Sequence, residues 1–123
     1  MAVTVLLIDD NALNLKMLAF SLRAHGYLVR PAVSAHQALE LLADAVPDII
    51  LMDLQMPGTS GFELASILKT RIDTMGLPII AVTAYAMKGD EQRALAAGCD
   101  GYVSKPIEIA GLLAKIERLT AQK

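Results

Sequence analysis

The chain has 123 residues, 54% of them hydrophobic and 20% charged, with a formal net charge of -2. That length suits one core, the apolar fraction excludes a disordered chain, and Lys and Arg scattered along the sequence leave no basic stripe for a nucleic-acid backbone. The longest apolar runs fall far short of the roughly 20 residues that cross a bilayer, and no basic leader precedes them, so a soluble, cytoplasmic protein is expected.

In chain order, short apolar runs alternate with longer stretches of helical period, the pattern of βα units around a parallel sheet. Residues 3–8 form the first expected strand. Leu15, Leu18, Ala19 and Leu22 then share one face of a helix that Gly26 stops. The second strand is expected over residues 27–30, ending before Pro31, whose missing N–H suits an edge. Ser34 with Gln37 and Ser60 with Glu63 have capping-box spacing and place the starts of helices two and three, on either side of a third strand over 49–52. A fourth strand is read over 79–83. The fourth helix is expected to end near Ala97, where Gly98 supplies a stop, and the lone Cys99 beyond it reads as a packing residue. A fifth strand over 101–104 precedes a helix carrying Ile109, Leu112, Leu113 and Ile116 on one face. Five parallel strands and five helices predict a doubly wound, flavodoxin-like sheet of order 2-1-3-4-5, with ligands outside the carboxyl ends of strands one and three.

Those ends carry Asp9 and Asp10 after strand one and Asp53 after strand three. Two like charges about 4 Å apart repel by roughly 4 kcal/mol at an effective dielectric near 20, so three converging carboxylates call for a cation. The donors are hard oxygens with no Cys or His suitably placed, which favours Mg²⁺ over Zn²⁺. Asp10 and Asn11 are also both placed to cap helix one, a reading that leaves Asp53 unexplained. Strand four ends in Thr83, and Lys105 and Pro106 follow strand five. A carboxylate nucleophile, a metal, a hydroxyl and an ammonium together are sufficient for phosphoryl transfer.

Asp9 and Asp10 in LLIDDN, Asp53 in IILMDLQMPGTSG, Thr83 in AVTA, and Tyr102, Lys105 and Pro106 in YVSKP resemble the receiver domain of bacterial two-component response regulators. The resemblance spans residues 1–123 and implies a single CheY-like receiver domain. It implies that Asp53 is the phospho-acceptor and that Asp10 and Asp53 bind Mg²⁺ directly. Asp9 then acts mainly through water, and Gln55 lends its backbone carbonyl. Thr83 and Lys105 would contact the phosphoryl group, Tyr102 would be the aromatic switch that follows Thr83, and the Lys105–Pro106 peptide would be cis. DDNALNLK and TAYAMKGDE narrow the likeness to receivers of hybrid sensor kinases and to single-domain cell-division regulators. Gln55 and Tyr85 match positions associated in that family with phosphoryl lifetime, and an aromatic at Tyr85 is expected to slow loss of the group.

The implied donor is a histidine kinase or histidine phosphotransfer protein. The implied output is a changed face of helix four, strand five and helix five that regulates another protein, because no output domain is expected after helix five. A monomer or a weak phosphorylation-dependent dimer is expected, with no direct nucleic-acid or membrane contact and no catalysis beyond self-catalysed phosphotransfer and autodephosphorylation. A haloacid-dehalogenase-type hydrolase would need a second acid where Gln55 stands. A nucleotide or flavin module would need a P-loop or GxGxxG, whereas Gly58 and Gly61 read as a turn into helix three.

Overall fold

The computed structural model describes residues 2–56, 58, 60–84 and 89–121. Ten elements alternate: β1 (Thr4–Ile8), α1 (Ala12–Ala24), β2 (Leu28–Ala32), α2 (Ala35–Asp44), β3 (Ile49–Asp53), α3 (Gly61–Thr70), β4 (Ile79–Thr83), α4 (Asp90–Ala96), β5 (Gly101–Ser104) and α5 (Ile109–Thr120). All strand pairs are parallel and the order is β2-β1-β3-β4-β5, as the alternation predicts.

The period of two along each strand sorts the helices into two layers. Leu6, Ile8, Ile50, Met52, Ile79 and Ala81 pack with residues of α2, α3 and α4. Val5, Leu7, Ile49, Leu51, Ile80 and Val82 pack on the other side with Leu15, Ala19 and Leu22 of α1 and Leu112 and Ile116 of α5. β1, β3 and β4 are apolar on both faces because each face is covered. Among the described residues, no helix is long and apolar enough to cross a membrane.

The helix starts follow the side chains that cap them. Asn11 caps α1 by accepting from the Asn14 N–H at 3.0 Å, so the cap is Asn11 and not Asp10. Ser34 and Ser60 accept from the N–H groups of Gln37 and Glu63, at the expected places. Gln37 reaches back one residue further than a standard capping box, accepting from the Val33 N–H at 2.8 Å.

β2 departs from expectation: it runs from Leu28 through Pro31 to Ala32. The Leu28 N–H donates to Val3 and the Ala32 carbonyl accepts from Asp9, so alternate residues of β2 face β1 and Pro31 turns its donor-less nitrogen outward. An edge strand tolerates proline there.

Cys99 is buried in the α2–α3–α4 layer, and burial pushes its thiol up to about 11. Next to it, Gly98 ends α4 with φ +108°, and a Cβ there would lie 2.5 Å from Cγ of Lys69. Lys69 cannot move without cost, since its ammonium donates to the Leu77 carbonyl at 2.8 Å and to Asp100 at 3.2 Å. Gly98→Ala is therefore expected to lower stability by about 1–3 kcal/mol through backbone strain. Gly76→Ala, in open space at an ordinary φ, is expected to be near neutral. Urea unfolding of the two variants checks this, and equal midpoints would refute it.

Candidate functional site

Asp9 continues the parity of Val5 and Leu7, and Asp53 that of Ile49 and Leu51, so both carboxylates leave the sheet on the α1–α5 side. β1 and β3 are adjacent, with Ile8 opposite Met52, which puts the two acids at the same level. Each is 7% exposed, while Asp10 is exposed at the rim. One oxygen from each of Asp9, Asp10 and Asp53 lies within 4.8 Å of the others.

Backbone amides hold the buried pair in place. The Asn11 N–H donates to Asp9 Oδ1 and the Gln55 N–H to Asp53 Oδ1, both at 2.9 Å. Their other oxygens face one ammonium, with Lys105 Nζ 3.0 Å from Asp9 Oδ2 and 3.2 Å from Asp53 Oδ2. Lys105 reaches this point from the end of β5, where its N–H donates to the Thr83 carbonyl at 2.8 Å and the Lys105–Pro106 peptide is cis. Sequence separation hides the pairing, since the lysine lies 96 residues from Asp9.

Burial raises the Asp53 carboxyl above the ordinary carboxylate range. The Gln55 amide and Lys105 pull it back, and the negative charge of Asp9 raises it further. Burial works against the Lys105 ammonium, but the hydrogen bond to Asp9 and the charges of Asp53 and Asp9 outweigh it, so its pKa is raised. Among the described residues, three acids with one ammonium leave a net negative site built of hard oxygen donors. That donor chemistry fits Mg²⁺, with room for water and phosphate oxygens to complete its shell.

Thr83 is fully buried at the end of β4, one residue beyond Val82, the register partner of Asp53. Tyr102 sits opposite Ala81 in β5, half-buried against the α2–α3–α4 layer. Its hydroxyl pKa is raised by burial and then by Asp90 and Glu91 in the first turn of α4. Gln55 is exposed immediately after Asp53. Tyr85, the other expected lifetime residue, lies outside the described residues.

The structure adds what the helical pattern of α1 left unread. A groove of about 380 Å³ leads from Asp9, Asp53 and Lys105 along α1, past Met17, to Ile107. Beside it Leu13, Met17 and Phe20 are 66, 60 and 75% exposed. Their spacing of four and three residues makes a second apolar stripe on α1, a signal present in the sequence but hidden by the stronger core face. His25 and His36 are exposed and stand apart from the acidic cluster.

Residues 5–117 match the family model of the response regulator receiver domain. The chain is 41% identical over 117 residues to the polar-differentiation response regulator DivK of Brucella ovis, covering 95% of each chain. DivK of Brucella anthropi is 40% identical over 114 residues, 93% of each. Among solved structures, chemotaxis response regulator CheY4 of Vibrio cholerae superimposes with a TM-score of 0.90 at 28% identity, covering 97% of this chain and 99% of that one. The receiver domain of Saccharomyces cerevisiae Ssk1, crystallised with the histidine phosphotransfer signaling protein Ypd1, gives 0.86 at 28% identity, covering 98% and 90%.

Proposed function

Because the chain belongs to the response regulator receiver-domain family of two-component signalling, we propose that it is a phosphorylation-controlled switch whose phospho-acceptor is Asp53. The observation that carries this reading is the single ammonium of Lys105 shared by two buried carboxylates, Asp9 and Asp53, at the mouth of an open groove.

Asp53 is the nucleophile. One of its oxygens forms a bond to phosphorus as the P–N bond of a phosphohistidine breaks and the electron pair returns to the imidazole nitrogen. The Gln55 N–H fixes the carboxylate's orientation. Lys105 leaves its carboxylate partners for the phosphoryl oxygens, and the Thr83 hydroxyl takes another of them. Asp10, Asp53 and the Gln55 carbonyl would hold Mg²⁺ directly, with Asp9 acting through water. When bound, the metal supplies positive charge to the transferring oxygens. Gln55 and Tyr85 set how long the acyl phosphate lasts before water removes it, with the Tyr85 ring as the shield. The chain's chemistry is confined to this transfer and to hydrolysis of the acyl phosphate, which frees the Asp53 carboxylate and releases inorganic phosphate.

A histidine kinase or histidine phosphotransfer protein is the donor in this reading. The exposed stripe of Leu13, Met17 and Phe20 offers an apolar landing surface for such a protein, and Met17 lines the groove that also holds Asp53. Output passes to a protein target through α4, β5 and α5. α4 has seven residues and buries one side chain, Ala94, with Arg93 resting on the Phe62 ring at 4.2 Å. An element so lightly anchored shifts for little energy. Turning a 1:99 equilibrium into 99:1 takes about 5.5 kcal/mol, within reach of several charge-assisted bonds to a new phosphoryl group. Tyr102, between the core and the acidic first turn of α4, is the side chain that transmits the shift.

Incubation with acetyl phosphate, with and without Mg²⁺, followed by peptide mapping, tests the reading. The expected result is a Mg²⁺-dependent adduct on Asp53. No adduct under any condition would leave a scaffold, and steady hydrolysis of an external phosphate ester would make the protein an enzyme.

A further inference from the structure

Gly58 precedes α3 and Gly61 opens it, and they are glycine for different reasons. Gly58 has φ +81°, a left-handed turn, whereas Gly61 has an ordinary helical backbone and is buried. What Gly61 lacks is space. A Cβ there would lie 2.6 Å from Cα of Leu54 and 2.7 Å from the carbonyl oxygen of Asp53. Both neighbours are backbone atoms, so no side-chain rotation makes room.

The contact holds the peptide that follows the phospho-acceptor. The Leu54 N–H donates to the Val82 carbonyl at 2.9 Å, tying the Asp53–Leu54 peptide to β4, and the Gly61 N–H donates to the Leu54 carbonyl at 3.1 Å, tying the next peptide to α3. That next peptide also carries the Gln55 N–H, which donates to the Asp53 carboxylate at 2.9 Å. α3 itself is anchored by its Ser60 cap and by the fully buried Leu64 and Leu68. An extra methyl forced into the contact therefore pushes on the backbone of Asp53 and Leu54.

We propose that Gly61 is a positioning residue for the acidic site: its absent side chain lets the first turn of α3 press on the peptide after Asp53 and thereby sets the directions of the Asp53 carboxylate and the Gln55 carbonyl. The inference rests on the reading of those groups as Mg²⁺ ligands, and its action is that of a neighbour that orients ligands without touching the ion.

Amide chemical shifts of the full chain, followed during titration with MgCl₂, test it. Gly61→Ala is expected to bind Mg²⁺ at least about tenfold more weakly than wild type, the loss typical when a ligand's supporting partner is disturbed. Gly98→Ala strains the turn after α4 and lowers stability without adding an atom against Asp53 or Leu54, and it is expected to keep the wild-type affinity. Unchanged affinity in Gly61→Ala overturns the inference, and so does an equal loss in Gly98→Ala. Should Gly61→Ala fail to fold, the wild-type titration decides: the Gly61 amide is expected to move with the same midpoint as Gln55, and an unmoved Gly61 overturns the proposal. A wild type that binds no Mg²⁺ defeats the metal-site reading and the inference together, whereas normal wild-type binding with unaffected Gly61→Ala defeats the inference alone.

Discussion

Asp53→Asn is expected to lose phosphoryl acceptance completely and yet to unfold at a higher temperature than the wild type in metal-free buffer. The loss follows because an amide oxygen is not a nucleophile toward phosphorus at neutral pH and forms no acyl phosphate. The gain follows from the electrostatics of the apo site. Burial raises the Asp53 carboxyl, the nearby charge of Asp9 adds to that, and Gln55 and Lys105 oppose it without cancelling it. A carboxyl whose folded-state pKa is raised favours folding only at low pH, and that contribution is lost as pH rises through the folded-state value. At neutral pH the ionised Asp53 is thus a cost that the neutral amide avoids. Relief of part of the repulsion is worth on the order of 1 kcal/mol, a Tm increase of a few degrees for a domain of this size. The difference from wild type should shrink as pH falls and Asp53 takes up its proton, and it should shrink as Mg²⁺ is added to the wild type. Melting curves across pH, with chelator or with Mg²⁺, show all three trends, and a variant less stable than wild type at neutral pH without metal would contradict the argument.

Lys105→Ala is expected to move stability the opposite way and metal affinity upward. The ammonium lies within 3.0 and 3.2 Å of two carboxylates whose side chains are only 10 and 9% exposed. Its removal leaves two buried negative charges facing each other. Loss of one partner from a buried ionic cluster costs about 3–5 kcal/mol, and the lower end applies to a cluster open to a groove on one side. Mg²⁺ and the ammonium compete for the same negative site, so the variant should bind the metal more tightly than wild type and recover much of its stability on binding. Phosphorylation by acetyl phosphate should nevertheless be slowed, since the lysine ammonium that follows the phosphoryl oxygens as charge shifts is gone and Mg²⁺ alone remains. Calorimetry with and without Mg²⁺, together with a labelling time course, separates these effects. A Lys105→Ala protein of wild-type stability in chelator would show that the two short contacts contribute nothing.

The two-layer fold was legible because its signals are local. Strand parity, capping serines and glycine stops each act within a few residues and place most of the elements, and right-handed crossovers between parallel strands then give the sheet order. The acidic cluster was legible as well, since a parallel sheet delivers the residues after β1 and β3 to one edge. The extension of β2 through Pro31 was missed because whether a proline's nitrogen faces a neighbour or solvent depends on pairing parity, which one strand does not reveal. The role of Gly61 was hidden for a related reason. Its neighbours, Asp53 and Leu54, become neighbours only when α3 folds back against the end of β3, and a sequence shows the glycine without showing what it would otherwise strike. The stripe of Leu13, Met17 and Phe20 was overlooked for a different reason, because α1 is apolar on two sides and the core-facing side dominates any periodic reading.

The separation of helices into two layers leaves β5, an edge strand, as a seam between them. α4 lies on one face of the sheet, and α1 and α5 share the other. In the proposed reading, an output surface of α4, β5 and α5 would wrap around that edge and, at α5, border a donor seated on α1. Donor and target would then compete for the domain, and one would have to depart before the other arrives.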